Sequence, residues 1–107
     1  MAAFHPVSGE IDTVAVKHWE KYDLLKIMQD NWSVLGPRLQ GKLWIWMGDM
    51  DQFYLNNAMR EMDAFLKSTT NPKSDAVINF EPMKGHCEDF DHRRVLEMMN
   101  EKVESLR

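Results

Sequence analysis

One stretch departs from the usual mixing of apolar and polar positions. Leu43-Trp44-Ile45-Trp46-Met47 is a continuous apolar run, and Gly48 ends it. Such a run fits a strand covered on both faces, as in a parallel sheet. Helical spacing follows. Leu55, Ala58, Met59, Met62, Phe65 and Leu66 form one stripe, which predicts a helix beginning near Phe53. Lys67 to Asp75 (KSTTNPKSD) is polar with one proline and reads as a plain loop. Ala76 to Phe80 (AVINF) is a second short strand. Two strands joined through a helix call for a parallel pair with a right-handed crossover.

The flanks are helical. Asp12 or Thr13 caps a helix running to about Lys21, with Val14, Trp19 and Tyr22 as its apolar positions. Asp23 caps a second helix, Leu24 to Asp30. Asn31 to Gln40 contains Gly36-Pro37 and reads as a link into the strand. At the other end, Asp89 or Asp91 caps a helix to about Leu106. Its stripe is Val95, Met98, Met99, Val103 and Leu106. Residues 1–107 are thus expected to form one α/β domain. Residues 1–40 are a helical lead-in and 41–107 a βαβα unit, with a small parallel sheet flanked by helices. A two-stranded sheet is marginal by itself, so further strands are expected from a second copy or from a longer protein.

Composition narrows the partners. A net charge of −4 without a basic cluster argues against nucleic acid and against an acidic membrane surface. With 44% hydrophobic residues the chain has the means to form a core. Cys87 is the only cysteine, so no internal disulfide forms. No apolar segment reaches membrane-spanning length, and MAAFHPVSGE lacks the pattern of a signal peptide.

The candidate chemistry lies where the two strands end. Asp49 and Asp51 follow the first strand, and Gly85-His86 follows the second. In α/β folds the carboxyl ends of strands carry ligands and chemistry. An acid after one strand and a histidine after the next is the Asp-His part of a hydrolase triad. The carboxylate fixes the imidazole tautomer and stabilises the imidazolium formed when it takes a proton.

These residues carry a family resemblance. LWIWMGDMD, then FYLNNAMREMDAFL, then KGHC after the second strand, resemble the C-terminal part of α/β-hydrolases, in particular esterase D-like and enterochelin esterase-like proteins. The preceding stretch SGEIDTVAVKHWEKYDLLKIMQDNWSVLGPRLQGKL is similar to what leads into that strand in such proteins. The resemblance implies a serine esterase or related acyl hydrolase acting on an ester-type small molecule. Asp51 is then the triad acid, His86 the triad histidine and Asp49 the fallback acid. The nucleophile-elbow half of the fold is lacking. No G-x-S-x-G occurs, and Ser8, Ser33, Ser68, Ser74 and Ser105 do not sit between a strand and a helix. The chain is therefore expected to supply acid and base without a nucleophile and to be inactive alone.

Other readings stand beside this one. The chain is alternatively a non-catalytic module derived from a hydrolase, forming a homodimer through an exposed strand edge. A weaker reading is a small-molecule binding module. His86-Cys87-Glu88-Asp89-Phe90-Asp91-His92 is rich in potential ligands but lacks zinc-site spacing, so no metal and no cofactor are expected. Cys87 reads as a packed small residue, and Ser8 as a turn residue. Trp44 and Trp46 share one strand face, as core, pocket wall or interface. Asn56 and Asn57 either cap the helix start or line the mouth of the site.

Overall fold

The computed structural model describes residues 2–88 and 91–107, and the alternative cap Asp89 lies outside them. Among the described residues it is a mixed α/β protein with five α-helices and one two-stranded parallel sheet. The helices are α1 (Thr13–Trp19), α2 (Leu24–Asp30), α3 (Trp32–Leu39), α4 (Leu55–Ser68) and α5 (His92–Ser105). The strands are β1 (Trp44–Gly48) and β2 (Val77–Glu81). No helix is long and apolar enough to cross a membrane among the described residues. The contacts sort into two compact units. One comprises Met1–Leu43 with Glu61–Ala76, and the other Trp44–Arg60 with Val77–Arg107.

In the first unit, aspartates set the helix starts. The Asp12 carboxylate accepts from the N–H groups of Val14 and Ala15, and that of Asp23 accepts from Lys26 N–H. Each satisfies donors that a helix start leaves unpaired. After Trp19 the chain tightens into a 3-10 turn, Glu20–Tyr22, so α1 stops short of Lys21. The buried apolar residues here are Ala15, Met28 and Leu66.

One sequence expectation fails in this unit. Asn31 to Gln40 is not a link but contains α3, with Pro37 inside the helix. Proline removes one backbone hydrogen bond, but only Arg38 and Leu39 follow it, so little helix is left to break. Tertiary packing makes up the difference. The Trp32 ring meets Phe65 edge-on at 5.6 Å, and its Nε1–H donates to the Pro72 carbonyl at 3.0 Å. Beyond α4, which ends at Ser68, the stretch to Asp75 is a loop as read, and polar ties fasten it. Thr69 is buried, donating from its hydroxyl to the Leu66 carbonyl and accepting from Ser74 N–H. Gln40 donates to the Lys73 carbonyl, and both carboxylate oxygens of Asp75 accept from Gly41 N–H.

In the second unit, β1 and β2 pair in parallel from Trp44↔Val77 to Gly48↔Glu81. Each strand lies one residue later than predicted at its start. Trp44 to Met47 are half-buried, so both faces of β1 are covered only in part, less than its apolar run suggests. Along β2, half-buried Ile78 and Phe80 alternate with exposed neighbours. Trp44 and Trp46 line a cavity of about 350 Å³ together with Lys84, Arg94 and Val95. Asp91 caps α5 through Arg94 N–H. Leu96, Met99 and Val103 of α5 and Leu106 just after it are exposed, at three-four-three spacing.

Gly36 lies under Trp32. A Cβ there would come within 2.8 Å of the indole Cε2 and 2.9 Å of Pro72 Cδ. Gly36→Ala gains helix propensity worth about 1 kcal/mol, but overpacking costs about 1–3 kcal/mol. We therefore expect a lower urea midpoint in the variant, and an unchanged or higher one would contradict this packing.

Candidate active site

The site is built where the turn after β1 meets the loop after β2. Backbone hydrogen bonds join them beyond the strands: Asp49 N–H donates to the Glu81 carbonyl at 3.0 Å and Met50 N–H to the Lys84 carbonyl at 2.9 Å. Gly48 makes this approach feasible. A Cβ there would run into the backbone carbonyl oxygens of Gly85 and Lys84. The Asp51 Oδ1 accepts from Phe53 N–H at 2.7 Å, and Tyr54 adopts a left-handed backbone with φ 60°. This local turn occupies the residues before Leu55. It is why α4 starts later than its apolar stripe predicts.

Asp51 and His86 are brought together. His86 Nδ1 lies 2.8 Å from Asp51 Oδ2. The Asp51 side chain is 1% exposed and that of His86 41%. Burial alone would raise the Asp51 pKa. Hydrogen bonds from His86 and from Phe53 N–H, the charge of His86 and a bond from Leu55 N–H together outweigh burial and hold it below the ordinary 3.8. Asp51 is therefore ionised at neutral pH. An ionised carboxylate only accepts hydrogen bonds. Nδ1 must then carry the proton, which leaves the Nε2 lone pair of the neutral ring available as a base. Nε2 has no hydrogen-bond partner among the described residues, and the ring is open enough for a proton donor to reach it.

Asp49 is directed elsewhere. Its Oδ1 pairs with Arg60 at 2.7 Å, and the Arg60 guanidinium stacks on Phe80 at 3.7 Å from the ring centroid. Asn56 donates to the Asp49 carbonyl at 2.9 Å and so buttresses the turn. Its Oδ1 is buried without a partner among the described residues. Ser105 is the one serine of this unit, and its hydroxyl donates to the Lys102 carbonyl. Cys87 is exposed rather than packed, and its backbone is left-handed with φ 53°. Asp89 of the ligand-rich run lies outside the described residues. No three His, Cys, Asp or Glu side chains converge on a metal-sized site among those that are described.

Sequence reasoning missed Gln52. Its Oε1 accepts from the His86 backbone N–H at 2.8 Å. Nothing in the run Asp-Met-Asp-Gln marks this residue, because the bond spans 34 positions. The Phe53 ring, read only as a helix start, meets the His86 ring edge-on at 5.0 Å. Comparison of the chain with protein-family models, with curated proteins and with solved structures gives no match in any of the three.

Two outcomes follow from this geometry. Asp51 titrates below its unfolded value, so the stability it contributes is present above about 3.9 and is lost as pH falls through the folded pKa. A carboxyl-carbon NMR titration should place its midpoint below 3.8, and a midpoint above that value would contradict the hydrogen-bonded carboxylate. Gly48→Ala should fall at the upper end of the roughly 1–3 kcal/mol cost of overpacking. It should also erase the low-field Nδ1–H proton signal of His86. A variant that keeps both stability and signal would refute the close approach.

Proposed function

We propose that this chain is the acid–base part of a serine hydrolase acting on ester-type small molecules. His86 takes a proton from a serine hydroxyl and returns it to the leaving group, while Asp51 holds the Nδ1–H tautomer and stabilises the imidazolium. The observation that carries this reading is the 2.8 Å pair between a buried carboxylate and a half-exposed imidazole at the ends of adjacent parallel strands. The reading also draws on the resemblance of LWIWMGDMD and KGHC to the C-terminal part of esterase D-like hydrolases. The serine comes from a segment or chain other than this one. Asp49 takes no part, since its carboxylate is engaged by Arg60.

The second reading is a non-catalytic module that dimerises through an exposed strand edge. It draws on half-buried β1, whose apolar composition suits a more deeply covered strand. Sedimentation separates its outcomes: a single monomer at every concentration would remove it.

The first reading is tested with a fluorophosphonate probe and mass spectrometry. The chain by itself should form no serine adduct, and a single adduct would overturn the claim that it supplies only acid and base. A longer reading frame containing this chain should encode a G-x-S-x-G serine that is labelled. There, Asp51→Asn should lower kcat for ester hydrolysis by about 10⁴-fold and His86→Ala by about 10⁶-fold, and Asp49→Asn should lower it far less. A frame with no such elbow, or equal losses for Asp49→Asn and Asp51→Asn, would sink the assignment.

A further inference from the structure

We infer that Gln52 is a positioning residue for His86 and acts through its side-chain oxygen. The inference rests on the reading of His86 as the base. Three consecutive residues of the turn after β1 hold the histidine at three different points. Asp51 meets the ring nitrogen Nδ1, Gln52 accepts from the backbone N–H, and Phe53 packs its ring against the imidazole. A carboxylate alone fixes one ring atom. It leaves the backbone of the histidine free to swing the ring about that atom. The Gln52 bond removes that freedom, because it ties the main chain of His86 to the turn that carries its acid.

The loop has reason to need this tie. Met83 and Cys87, on either side of His86, both adopt left-handed backbone with φ of 59° and 53°. Tyr54, on the opposing turn, does the same at 60°. Such conformations are unfavourable for a non-glycine residue and persist only where neighbouring bonds over-determine them. The bonds available are few and specific. Gly85 N–H donates to the Glu88 carboxylate at 2.7 Å, Met50 N–H to the Lys84 carbonyl, and His86 N–H to Gln52. The fit at Gly85 is equally close: a Cβ there would come within 2.8 Å of Gln52 Oε1. The sequence Gly85-His86 therefore packs directly on the Gln52 amide, and the amide fills the space that a side chain at 85 would claim.

An acceptor role differs from mere space-filling in its response to substitution. Gln52→Leu keeps the bulk and removes the acceptor. Gln52→Glu keeps an acceptor oxygen in place. The test is nitrogen-detected NMR of the His86 ring in the full chain, with amide exchange of His86 alongside. The unsubstituted protein should show a dominant Nδ1–H tautomer and a His86 amide exchanging at least tenfold slower than an unprotected one. Gln52→Leu should bring the amide to the unprotected rate and move the ring towards the tautomer mixture of a solvated histidine, and Gln52→Glu should restore both. An unprotected amide in the unsubstituted protein would overturn the inference without any variant. So would a Leu variant with unchanged ring and amide, or a Glu variant that behaves like Leu. The hydrolase reading fails separately, through the missing serine adduct in the longer frame. Tautomer loss in Gln52→Leu, together with no labelled serine in the longer frame, would keep the clamp and discard the function.

Discussion

A buried carboxylate is the constraint on which the second unit turns. Among its described residues only Gly48, Asp51 and Gly85 are buried, and Asp51 is the one with a side chain to satisfy. An unpaired charge in that place would be expensive. Asp51 is satisfied from two sides, by backbone N–H groups of its own turn, Phe53 foremost, and by His86 from the facing loop. The first bond shapes the turn; the second requires the two loops to be in contact. The two buried glycines allow that contact, since a side chain at Gly48 would meet the backbone around Gly85. Close approach, hydrogen bonding and burial therefore depend on one another, and none can be relaxed alone.

The same arrangement sorts two otherwise similar acids. Asp49 and Asp51 stand two positions apart after one strand, yet Arg60 and Asn56 claim the first and His86 the second. Arg60 is itself placed by stacking on Phe80 of β2. An exposed pair of this kind contributes little stability, but it gives the Asp49 carboxylate a partner away from the imidazole. The division of labour lies in the folded arrangement rather than in the residue type.

The first unit follows a different logic. Its buried apolar residues are few, and polar ties hold its connections. Asp75 grips Gly41, Gln40 reaches Lys73, and the Trp32 indole bonds to Pro72. The stretch read as a breaker is α3, and its Trp32 is held by partners far away in sequence. Gly36 and Pro37 are poor helix residues by local preference. In place, Gly36 is the residue small enough to sit beneath the Trp32 ring and beside Pro72.

Local physics made much of this protein legible. Aspartate caps announced α1, α2 and α5, apolar spacing announced α4, and short apolar stretches, continuous only in β1, announced both strands within a residue or two. Asp51 and His86 were legible because strand ends in α/β folds gather chemistry. What stayed hidden depends on contacts between residues distant in sequence. Pairing with β2 leaves β1 half-buried, where its apolar run alone suggested full cover on both faces. Helix α3 draws its support from residues some forty positions later. The choice of Asp51 over Asp49 depends on where Arg60 and His86 arrive, and the part played by Gln52 depends on a loop it cannot signal locally. Sequence by itself determined the elements, since caps and periodicity act over a few residues. Only the tertiary structure decided which acid meets the histidine and what holds it there, because those bonds exist only once the loops are side by side.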